Sequence, residues 1–281
     1  MAATVVYQLV NVTGAKDDLR DKVGGQPRPV QSLPPSLPTG SGLRVSVLDI
    51  EGNDGGSSVV FPARGVTASR KFIDAEAQPS FRDMIAAGGF AVDALQLRVS
   101  LEGLRNQRIT VHNVRVSGLR REDIPTGALV KIPGQGVPTN QMAFAMDAAK
   151  PVAHQVVEGV EVDRAFFDNE FIDLADGEKT VLVLRFHTEL WAYAFDVAID
   201  YEIGGRLLTQ PVPRTTDQPY RVAAGVCFGD SFLAKLSSAD RQRLGSLRYN
   251  EISEVAGMAV EADGSQHYRM ERADPARHCA G

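Results

Sequence analysis

Apolar and polar residues alternate with a period of two along most of this chain. The clearest run covers residues 191–203, WAYAFDVAIDYEI. Trp191, Tyr193, Phe195, Val197, Ile199, Tyr201 and Ile203 fall on one face, and Ala192, Ala194, Asp196, Ala198, Asp200 and Glu202 on the other. Successive side chains of a strand point to opposite faces, so the pattern predicts a long strand with one face buried. Gly204-Gly205 then precedes RLLTQPV, which predicts a tight turn and a return strand. Residues 94–101 repeat the alternation with Leu95, Leu97, Val99 and Leu101 inward. In 108–116 the apolar positions are Ile109 and Val111, then Val114 and Val116, so the parity slips at His112-Asn113. One extra residue in a strand does this, which predicts a β-bulge there. Residues 43–50, 58–61, 128–132, 142–146 and 180–186 are further β-rich runs. Asn53-Asp54-Gly55-Gly56 and Asp176-Gly177 carry turn chemistry.

Helix signals are few. Residues 79–89 predict a short helix with Pro79 at its start and Gly88 at its end. Residues 237–245 predict a second, capped by Ser237 or Ser238 and stopped by Gly245. Many short strands with hairpin turns and one or two short helices predict a mainly β fold, an antiparallel β-sandwich of immunoglobulin-like type. Three parts follow from this reading: an N-terminal strand and Pro/Gly-rich linker over 1–42, a sandwich over 43–225, and a C-terminal segment over 226–281 with a short helix and a frayed tail.

Composition narrows the partners more than the chemistry. The 281 residues are 43% hydrophobic and 23% charged, enough for a sizeable core. A net charge of −5 and scattered basic residues argue against a nucleic-acid footprint. No stretch approaches the roughly 18 apolar residues of a membrane span. The first residues lack a basic region and do not read as a signal peptide, so the expected location is cytoplasmic. Cys227 and Cys279 form no CxxC and no disulfide framework; two free thiols in a reducing compartment are expected.

Between about 43 and 222 the order of elements resembles a group of uncharacterised actinobacterial β-rich proteins, usually tethered by a membrane helix that this chain lacks. The stretches FRDMIAAGGF, LQLRVSLEGLRNQRITVHNVRVSGLRREDIPTGALVKIPG, QMAFAMD and AIDYEIGGR carry the likeness. It implies a β-rich fold and carries no activity.

A serine invites a sharper reading. Gly229-Asp230-Ser231 closes an apolar run and resembles the nucleophile motif of GDSL-type hydrolases, with Gly245, Asn250, Asp274 and His278 following in order. The resemblance implies Ser231 as nucleophile with Asp274 and His278 as its partners, because a serine hydroxyl needs a base and that base an orienting group. Against it, only 50 residues follow Ser231, too few for a parallel α/β sheet, and Asp274 and His278 stand four apart rather than three. A turn serine is the favoured expectation.

The remaining candidates are weaker. The histidines His112, His154, His187, His267 and His278 show no metal spacing, and no cofactor is implied. Asp49, Glu51, Asn53 and Asp54 offer oxygen ligands, but Asp54 stands where a calcium loop demands glycine and Val60 where it demands a bidentate Glu. Asp196, Asp200 and Glu202 share an outward face, either a plain charged face or a site for a cation or basic partner. Phe228, Phe232 and Leu236 recur every four residues and would align on a helix that docks on its own sandwich or on another protein. The expectation is therefore a non-catalytic binding or assembly module with a protein partner or self-association; the alternative is a hydrolase using Ser231 and His278.

Overall fold

The computed structural model describes residues 42–52, 56–63, 66–75, 78–104, 106–133, 141–260, 266–276 and 278–279. Apart from Gly42, the expected N-terminal strand and linker lie outside the described residues. The alternating runs become strands. β1 (Leu43–Glu51) and β2 (Gly56–Val60) precede helices α1 (Val66–Ile73) and α2 (Phe81–Ala86). β3 (Phe90–Val92), β4 (Ala94–Gly103), β5 (Ile109–Glu122), β6 (Ala128–Pro133) and β7 (Met142–Ala145) follow. A hairpin of β8 (His154–Val157) and β9 (Val160–Ala165) leads to β10 (Ile172–Leu174) and β11 (Lys179–His187). Then come β12 (Ala192–Ile203), β13 (Arg206–Pro211) and β14 (Tyr220–Ala223). Helices α3 (Asp230–Leu233) and α4 (Ser238–Gly245) join β14 to a last hairpin, β15 (Glu251–Val260) and β16 (Gln266–Ala273).

These strands form two sheets. The smaller runs β1-β4-β11-β7-β8-β9. The larger runs β10-β5-β12-β14-β3-β2-β6-β15-β16, with β13 also on β12. Most ladders are antiparallel, while β7–β11, β3–β14 and β6–β15 are parallel. The alternation places Leu95, Leu97, Val99 and Leu101 of β4 and Val111, Phe195, Val197 and Ile199 of β5 and β12 in one core, each fully buried. A line of rings joins the sheets: Phe144 on Phe186 at 4.7 Å, Phe186 on Phe195 at 4.7 Å, and Phe195 on Tyr220 at 6.1 Å between centroids. The parity slip in β5 is a real bulge. Asp200 faces Asn113 and Tyr201 faces Val111, so His112 is the residue passed over. Gly204 and Gly205, at φ of 56° and 73°, close the two-residue turn that a side chain would strain. Both expected helices form, with Ser80 and Ser237 accepting from the amides of Asp83 and Asp240.

Three expectations are corrected. The larger sheet runs past residue 225, because β15 pairs with β6 through Glu251–Glu254. Among the described residues the segment after 225 thus holds two short helices and a hairpin that extends the sheet, not a single short helix. Phe228, Phe232, Leu233, Leu236 and Leu247 pack on a second core of Val60, Phe90, Val92, Leu129, Val226, Tyr249 and Ile252, so this stretch docks on its own domain. Cys227 and Cys279 are not free thiols; they are joined as a disulfide, with Cα atoms 5.0 Å apart. The sequence spacing of 52 hid a pairing that exists only once β15 and β16 turn the chain back. Finally, Trp191 is only partly buried. It precedes β12, and its ring is clamped between the guanidinium groups of Arg121 at 4.3 Å and Arg243 at 3.6 Å. That clamp, with Arg243 donating to the Leu190 carbonyl, pins α4 to the sandwich.

Candidate functional site

The β8–β9 hairpin, at one edge of the smaller sheet, gathers chemistry that no spacing in the sequence announced. His154 Nδ1 lies 3.0 Å from one oxygen of Glu161, and His187 Nε2 lies 2.7 Å from the other. All three side chains are about three-quarters buried. The register explains how they meet. His154 stands opposite Ala143 and His187 opposite Ala145, so β7 presents only methyl groups between the two imidazoles. Each imidazole serves a different carboxylate oxygen, so the three groups satisfy one another instead of surrounding a vacant point. Accordingly, no group of three His, Cys, Asp or Glu side chains among the described residues is arranged to hold a metal ion. What the network does is tie both arms of the hairpin to β11.

At its tip the opposite face of the same hairpin is apolar and open. Val157 and Val160 pair across its turn and are 37% and 64% exposed. Glu158 and Gly159 form that turn at φ of 50° and 80°, so the tip is a tight two-residue turn. Past the other end of β7, Asp147 fixes the loop between β11 and β12. Its carboxylate accepts from the amides of Glu189 (2.6 Å) and Leu190 (3.2 Å), and from the hydroxyls of Thr188 (3.1 Å) and Tyr193 (3.1 Å). Burial first, and the Asp147 charge second, push the Tyr193 phenol well above its ordinary value, so it stays a donor.

The residues singled out in the sequence are placed as follows. Ser231 is exposed on the one-turn α3, and no hydrogen bond joins it to His278. The His278 ring instead lies 5.7 Å from that of Tyr249. Partial burial, then the nearby Lys131, lower its pKa, with Glu254 opposing. Asp274 accepts the Ala276 amide at 2.9 Å. Asn53 and Asp54 lie outside the described residues; Asp49 faces Arg82 at 3.7 Å, and Glu51 is exposed at the end of β1. The acidic face of β12 is answered within the chain. Arg214 grips Asp196 with two bonds of 2.6 and 2.7 Å, Arg115 reaches Asp200 at 2.9 Å, and His112 lies 3.4 Å from Glu202. Such pairing leaves no call for an outside cation there.

The chain matches no family model, no curated protein and no solved structure. Among the described residues no helix is long and apolar enough to cross a membrane.

Proposed function

We propose that this chain is a non-catalytic binding or assembly module whose partner is a protein, and that the β8–β9 tip is the part that docks. The observation that carries this reading is the exposure of Val157 and Val160 on a hairpin whose other face is tied down by His154, Glu161 and His187. Apolar side chains held rigidly in water lose little conformational entropy on docking and gain by leaving the solvent. Glu158 at the turn adds a negative rim, which favours a partner with an apolar pocket edged by basic groups. The test is a comparison of wild type with the Val157→Glu/Val160→Glu double variant. Complexes are isolated by cross-linking in the native host, and self-association is followed by sedimentation. The reading expects a complex or oligomer that the variant loses while its circular dichroism stays the same. A variant that retains every complex overturns it.

A second reading, hydrolysis by Ser231, has one observation in its favour. The disulfide draws the segment bearing His278 back to the segment bearing Ser231, since Cys227 and Cys279 flank them. Ester turnover that vanishes in Ser231→Ala, with the fold intact, would establish it. Absence of turnover in the wild type would dismiss it.

A further inference from the structure

We propose that the Cys227–Cys279 disulfide is a permanent clasp on the C-terminal hairpin, closed in an oxidising compartment, and that the chain works there. Three observations converge on the pair. First, the partners are brought together by contacts that need no covalent bond. Val226, just before Cys227, and Tyr249 are both buried in the second core, and the ring of His278, just before Cys279, rests on Tyr249. The 5.0 Å between the Cα atoms sits within the usual range for a disulfide, so closing it demands no rearrangement. Second, the hairpin is a peripheral element. Among the described residues its ladder to the rest of the large sheet runs from Glu251 to Glu254, and β16 lies at the sheet's edge. Third, both cysteines are exposed. A reducing thiol pool would reach them, so a clasp at this position persists only where the surroundings are oxidising.

Closing the clasp is a two-electron oxidation. The two thiols lose two protons and two electrons as the sulfur–sulfur bond forms. The electrons pass by thiol–disulfide exchange to a disulfide-bearing oxidant, which leaves as a dithiol. The enclosed loop spans 52 residues, and constraining a loop of that size in the unfolded chain lowers the unfolding equilibrium constant by about a thousandfold.

The decisive experiment counts thiols in the chain taken from its native host, quenched in acid and alkylated under denaturing conditions before intact-mass measurement. The proposal expects no alkylation until a reductant is added, and then two groups. Two groups without reductant would overturn it. A second measurement compares full-length oxidised chain, the same chain with dithiothreitol, and the Cys227→Ser/Cys279→Ser variant. Oxidised chain should melt highest, and the other two should coincide. If all three melted together, the bond would exist without acting as a clasp, and the proposal would fail on that count.

Discussion

Phe195 is the residue at which the two sheets meet, with the Phe186 ring on one side and Tyr220 on the other. Truncating it leaves a void that neither sheet can collapse to fill. Phe195→Ala should therefore cost about 3–5 kcal/mol, read from the shift in denaturant midpoint at unchanged slope. His278 supplies a pH dependence. Its partly buried ring, close to Lys131, has a lowered pKa, so folding favours the neutral form. The stability it lends is present above the ordinary histidine value of about 6.5 and is lost as pH falls through that value toward the folded one. Between pH 7 and pH 5 the wild type should lose more stability than His278→Gln; parallel curves would refute this. At this scale the sequence was readable wherever a single period governed. Leu95 to Leu101 and Phe195 to Ile203 follow from alternation alone. Trp191 did not, because two guanidinium groups from Arg121 and Arg243 compete with the core for its ring, and neither is near it in sequence.

Among the elements, those with one uninterrupted pattern or a strong terminator were legible: β4, β12, the Gly204-Gly205 turn, and the Ser237 cap of α4; the Ser80 cap of α2 was not, because Pro79 drew the start of that helix too early. The Ser237 cap can be weighed directly. Its hydroxyl accepts the Asp240 amide at 3.1 Å. Ser237→Ala should cost about 1 kcal/mol, checked by thermal melting, with no change in secondary structure. The β15–β16 hairpin was hidden for a physical reason. Its register slips between Val255 and Gly257, so no single parity runs through β15. The His154–Glu161–His187 network was equally invisible, because it depends on β11 lying parallel to β7 across two alanines.

For the molecule as a whole, the two-layer β architecture was expected and found, while the boundary at residue 225 was not. A chain ending at Gly225 would strip β15 from β6 and uncover the apolar residues of the second core, Leu129, Phe90 and Val92 among them. It should melt well below the full chain and elute as an aggregate; a stable monomer of reduced mass would contradict the fold described above. The disulfide bears on how the chain responds to being pulled. Tension applied at the two ends travels from Cys279 to Cys227 across the sulfur bridge and bypasses everything between them. Helices α3 and α4 and the final hairpin are thereby shielded from load. A stretched, oxidised chain should come up short by the 52 bridged residues, about 180 Å at full extension. A reductant added during single-molecule stretching should release that length in one further step.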